Sequence, residues 1–124
     1  MARRTAAEMV AEARARVPAV TPEEARALPD ALIVDLREPD EVAATGKIEG
    51  AVVIPRGWLE WRADPESPWH DDRFALDRPV LLYCAVGGRA ALAGVVLQDL
   101  GFQDVRNLGG IKDWADRGLP VEPG

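Results

Sequence analysis

Three short apolar runs punctuate the chain at 31–34, 51–54 and 80–83, with a fourth, weaker one at 104–107, each bounded by turn-forming or polar residues. Runs of this length lack the alternation of a half-solvated strand, so they predict strands buried on both faces. Stretches with helical character separate them at 41–44, 58–62, 90–100 and 111–116. Strands alternating with helices predict a single α/β unit with a mainly parallel β-sheet and helices on both faces.

Two further helices are expected ahead of the first strand. Residues 5–17 are rich in Ala, Glu and Arg, with Met9, Val10 and Ala13 on one stripe, and Pro18 stops them. Thr21, Pro22 and Glu24 then read as a capping box with proline at the first helical position, starting a helix through Leu28. The division is therefore an N-terminal helical extension over 1–20 and an α/β domain over 21–124. The segment 63–78, rich in Pro and Asp, has no periodicity and reads as a surface excursion carrying Trp69 and His70.

Composition narrows the function. At 124 residues, 48% of them hydrophobic, the chain has the size of one domain with one core. Its net charge of -6 argues against a broad basic surface for nucleic acid or acidic membranes, so an anionic substrate must be captured locally. One cysteine and one histidine leave no cluster for a structural zinc and no internal disulfide, so neither metal nor cofactor is expected. With no apolar signal segment and no run of transmembrane length, the sequence predicts a cytoplasmic protein that needs no membrane partner.

The sharpest chemical signal is the run Tyr83-Cys84-Ala85-Val86-Gly87-Gly88-Arg89, between the third apolar run and the helix expected from Ala90. In a parallel sheet, ligands bind beyond the carboxyl ends of strands, which is where Cys84 would lie. Gly87 and Gly88 let the backbone curl so that the amides from Ala85 to Arg89 face one point, an anion-binding nest. The helix start adds positive potential, and Arg89 offers a forked cationic donor. Such surroundings favour a thiolate nucleophile, whereas a cysteine at a strand end with no such company is an inert packing residue.

These motifs, with three others, resemble the rhodanese family from about Thr21 to Pro120. Val34-Asp35-Leu36-Arg37-Glu38-Pro39-Asp40-Glu41-Val42 is similar to its D-V-R-E-x-x-E motif, and Gly46-Lys47-Ile48-Glu49-Gly50-Ala51 to its G-H-I-x-G-A turn. Cys84 to Ala90 resembles the active loop C-x-x-G-x-R followed by Ser or Ala. Leu108-Gly109-Gly110-Ile111-Lys112-Asp113-Trp114 with Gly118-Leu119-Pro120-Val121 resembles the closing signature. The resemblance implies a catalytic Cys84 that carries sulfane sulfur as a persulfide, taken from a donor such as thiosulfate and passed to cyanide, a thiol or a sulfur-acceptor protein. Ala85, Val86, Gly87, Gly88 and Arg89 would bind the substrate, and ping-pong kinetics would follow.

Departures and alternatives sharpen the expectation. Related cysteine phosphatases use C-x5-R to cradle a tetrahedral phosphate; four residues separate Cys84 from Arg89, which favours sulfur. Lys47 stands where the family has histidine, altering a structural hydrogen bond. Val86 occupies a position that is often polar, and the loop carries no second cation beside Arg89. Both features lend weight to the competing reading, a non-catalytic module that binds an anion or a partner. Asp35 and Arg37 are expected near the site as an ion pair that fixes the loop, with substrate contact as the alternative. The four tryptophans are read as core or site-rim packing, and His70 as a solvated loop residue.

Overall fold

A computed structural model describes residues 3–124. Helices α1 (Ala6–Arg16) and α2 (Pro22–Arg26) lead into strand β1 (Leu32–Asp35) and helix α3 (Pro39–Thr45). Strands β2 (Lys47–Ile48) and β3 (Val52–Val53) follow, then a 3-10 turn (Arg56–Trp58) and α4 (Leu59–Ala63). The chain continues through β4 (Val80–Cys84), α5 (Gly88–Asp99), β5 (Val105–Gly110), α6 (Ile111–Asp116) and β6 (Val121–Glu122). Both leading helices start on capping boxes: Thr5 with Glu8, which the sequence reading passed over, and Thr21 with Glu24.

The sheet is parallel throughout, in the order β3-β1-β4-β5. Two apolar clusters cover its faces. Val34, Val80, Leu82 and Cys84 pack with α4 and α5 through Leu59, Ala90, Ala93 and Leu97. Leu81 and Tyr83 face the other way, toward Ala25 of α2 and Ile111 and Trp114 of α6. The period-two alternation of β4 thus decides that Cys84 shares a face with the helix that follows it. Helix α1 lies outside α5, where Gly94 leaves room for Val17: a Cβ at residue 94 would stand 2.7 Å from a Val17 methyl.

Several elements differ from expectation. A second, antiparallel sheet pairs β2 with β6, joining the segment after α3 to the last residues of the chain; at two residues per strand neither has a readable pattern. The last sheet strand runs on to Gly110, beyond the run at 104–107, because the β4–β5 register slips between Leu82 and Tyr83 and Gly109 takes a φ of 90°. The excursion after α4 is a surface loop pinned by Phe74, whose ring meets Phe102 edge-on at 5.9 Å. Of the tryptophans only Trp114 is in the core, donating to the Pro120 carbonyl at 2.9 Å. Trp58, Trp61 and Trp69 are about half exposed, and Trp61 and Trp69 each pack edge-to-face on Trp58. His70 is only partly solvated: its Nδ1 lies 3.5 Å from Asp72 Oδ1, while its Nε2 is buried without a hydrogen-bond partner among the described residues.

Candidate active site

Strand β4 is buried along its whole length and delivers Cys84 to the carboxyl edge of the sheet, at its centre. There the backbone turns sharply. Gly87 adopts a φ of 102°, a left-handed conformation that a side chain resists, and serves as the N-cap of α5. Helix α5 consequently begins at Gly88, two residues earlier than the sequence pattern predicts, so its amino end lies directly against the loop.

The turn brings the Gly87 amide to Cys84, where it donates to Sγ at 3.0 Å. One amide of the expected nest is thus directed at the sulfur. Cys84 is 1% exposed and belongs to the apolar cluster, so its sulfur lies beneath the loop, not on an open surface. No other amide between Ala85 and Arg89 is bonded to the sulfur among the described residues, a narrower arrangement than the full ring expected. Val86 forms the outer tip, 79% exposed.

The loop is pressed from β5. A Cβ on Gly110 would fall 2.1 Å from the Ala85 carbonyl oxygen and 2.9 Å from Val86 Cα, both backbone atoms, so only glycine fits there. Asn107 reinforces the junction, donating from Nδ2 to the Gly87 carbonyl at 3.3 Å while its Oδ1 accepts from the Gly109 amide at 2.8 Å. The glycine pair near the end of the chain thus lets two backbones approach closely.

Arg89 does not stand free. Both its terminal nitrogens donate to Glu41, at 2.9 Å each, in a forked pair linking α5 to α3. Arg89 holds Glu41 far below the usual carboxylate range, at about 2, helped by the Glu38 amide. In return Glu41 raises the pKa of Arg89, with the nearby Cys84 adding in the same direction. In the sequence Glu41 stands within the D-V-R-E-x-x-E-like motif and opens the helical stretch 41–44, and its spacing from Asp35, beyond the same strand end, is the signal for its place here.

Asp35 and Arg37 form the expected ion pair, as a buried strut at the carboxyl end of β1. Arg37 is 2% exposed and Asp35 fully buried, with Nη2 to Oδ2 at 2.7 Å and Nε to Oδ1 at 3.0 Å. Arg37 also donates to Thr45 Oγ1 at 2.7 Å and the Gly46 carbonyl at 2.8 Å, tying β1 to the far end of α3. Burial opposes its charge, yet the bonds and attraction to Asp35 outweigh that and raise its pKa. What the pair fixes is the α3 segment that presents Glu41, while Arg37 also lies over the ring of Tyr83, the neighbour of Cys84, at 5.9 Å from its centre. Tyr83, whose phenol is pushed up by burial and by Asp35, accepts from the Ile48 amide at 3.0 Å and anchors β2 beneath. Lys47 makes structural bonds to the Ala51 carbonyl and to Glu122.

Residues 21–117 match the rhodanese-like domain family. The chain belongs to that family. A sulfurtransferase from Allochromatium vinosum is 39% identical over 93 residues, covering 74% of this chain and 78% of its own. Among solved structures, a Rhodopseudomonas palustris protein described as of unknown function and a possible tyrosine phosphatase superposes with a TM-score of 0.89. It is 38% identical, with 98% of this chain and 97% of that one covered. The polysulfide-sulfur transferase homodimer of Wolinella succinogenes gives 0.74 at 32% identity, covering 93% and 85%. This rhodanese-like domain is single and α/β, and its similarity to sulfurtransferases supports sulfur transfer as its general chemistry. No described helix is long and apolar enough to cross a membrane.

Proposed function

We propose that this protein is a rhodanese-type sulfurtransferase working through a persulfide on Cys84. The observation that carries the proposal is the Gly87 amide directed at Sγ where β4 turns into α5. An amide so placed stabilises negative charge on Sγ in the thiolate, both before it attacks the donor and when it is released as the leaving group in the second half-reaction. In the first half-reaction the Cys84 thiolate attacks the outer sulfur of thiosulfate. The new S–S bond forms as the donor's own S–S bond breaks, its electron pair leaving on sulfite. In the second, cyanide, a low-molecular-weight thiol or a protein thiol takes the outer sulfur and the thiolate is restored. Arg89, steered by Glu41, and the amides of Ala85, Val86 and Gly88 line the approach for the anion.

Intact mass after incubation with thiosulfate tests this. The wild-type chain gains one sulfur atom, cyanide removes it as thiocyanate, and Cys84→Ser gains nothing. Wild type and variant remaining equally unmodified by thiosulfate, a thiosulfonate and polysulfide would sink the proposal.

Two observations favour other readings. The burial of Cys84 suits a non-catalytic module, which predicts that same unmodified mass. The Rhodopseudomonas palustris relative raises phosphoryl chemistry, which predicts turnover of an aryl phosphate that is lost in Cys84→Ser. Only four residues lie between Cys84 and Arg89, and the arginine fork is occupied by Glu41, so no turnover is expected.

A further inference from the structure

The loop lacks a second cation of its own, and helix α1 brings one to it. The Arg14 guanidinium lies 3.3 and 3.6 Å from the point where a Cβ on Gly87 would stand. Gly87 is the residue whose amide meets Cys84 Sγ at 3.0 Å. Adding the intervening covalent bonds of about 1.5 Å each places the guanidinium within about 10 Å of the sulfur.

Its charge is uncompensated. On the same helix Arg4 pairs with Glu12 and Arg16 with Asp99 at 2.6 Å, but Arg14 has no hydrogen bond or ion pair among the described residues. The other cations around the loop are taken: Arg89 by Glu41, and Lys112, beside the shallow cavity at Ala85 and Val86, by Asp116. A solvent-exposed arginine with no carboxylate partner among the described residues, held beside the turn that faces the nucleophile, adds a positive charge to the approach to Cys84 in an otherwise acidic protein.

We infer that Arg14 sets the charge preference of the site, favouring sulfur donors with two negative charges over donors with one. This rests on the sulfur-transfer reading above. Coulomb attraction is linear in the charge of the donor, so one fixed cation acts on a dianion with twice the free energy that it exerts on a monoanion. Arg14 is a specificity residue acting through space and takes no part in bond making.

The test compares kcat/KM for persulfide formation from thiosulfate, a dianion, and benzenethiosulfonate, a monoanion that releases benzenesulfinate where thiosulfate releases sulfite. At low ionic strength Arg14→Gln is expected to lose about tenfold with thiosulfate and about threefold with benzenethiosulfonate, the fold-loss for the monoanion being the square root of that for the dianion. Arg14→Lys keeps most of the preference. Added salt shrinks the difference between wild type and Arg14→Gln. Arg26→Gln, on the opposite face, changes neither rate. Equal losses with the two donors, or none, in a folded Arg14→Gln would overturn the inference and leave the sulfur-transfer reading standing. Should Arg14→Gln not fold, Arg14→Lys with its charge kept and its reach shortened decides: an unchanged donor ratio under added salt overturns the inference. A wild-type protein that accepts sulfur from neither donor would remove the reading and the inference together.

Discussion

Glu41 holds Arg89 by two parallel hydrogen bonds of 2.9 Å, so the cation expected to meet the substrate is already half of an ion pair. The forked contact fixes the guanidinium plane and removes most of its free charge. In the proposed sulfur transfer Arg89 therefore serves orientation, with net attraction left to the loop amides, the α5 terminus and α1.

Glu41→Gln should separate these roles. The pair is about one-third exposed on each side, so its loss is expected to change stability by under about 1 kcal/mol. Loss of orientation is a larger matter for rate, and a fall in persulfide formation of about 10- to 100-fold is expected. The pH dependence has a definite sign. Because Arg89 lowers Glu41 from 4.5 to about 2, the stabilisation by Glu41 is fully present above pH about 4.5 and is lost as pH falls toward 2. Melting curves of wild type and Glu41→Gln should therefore differ at pH 6 and converge near pH 2. A gap that widens on acidification contradicts the assignment.

Gly110→Ala tests the pressure of β5 on the loop. With a Cβ 2.1 Å from the Ala85 carbonyl oxygen, backbone must move, and the Cys84–Gly87 contact with it. Displacement of about 1 Å in such a site costs about 100-fold in rate. Gly57→Ala is the control, having no atom near its Cβ and no positive φ, and should keep the wild-type rate. Single-turnover persulfide formation measures both.

Much of this was legible in the residues themselves. The buried runs announced β1, β4 and the parallel order because both faces of those strands are covered, leaving no polar alternation to confuse the period. Cys84 at the strand end and the glycines behind it followed from the same logic. What escaped depends on contacts between distant segments. Glu41 meeting Arg89, Gly110 meeting Ala85 and Arg14 meeting Gly87 have no local signature, since each becomes meaningful only once the sheet order is known. Strands β2 and β6 escaped for another reason: they are two residues long and exist because their ends pair with each other. The half-burial of His70 escaped because Pro and Asp around it suggest solvent, while Phe74 packs the same loop onto the core.

The seat of α1 on α5 gives the last prediction. Gly94 sits in mid-helix, where alanine would normally add about 1 kcal/mol of stability. Here the added methyl would meet two Val17 methyl groups at 2.7 and 2.8 Å, and Val17 is 2% exposed with little space to retreat. Overpacking of that kind costs about 1–3 kcal/mol, so Gly94→Ala is expected to lower the urea midpoint in spite of its better propensity. Val17→Ala alone also destabilises, by opening a cavity. The double variant exchanges one methyl contact for another and should recover at least 1 kcal/mol relative to the sum of the singles, a coupling of the usual size for touching residues. Since α1 carries Arg14, the same displacement in Gly94→Ala should flatten the preference for thiosulfate over benzenethiosulfonate, and the double variant should restore it. Additive effects on stability would mean that Val17 does not rest on Gly94, and that α1 is positioned by its end contacts at Asp99 and Asn107 instead.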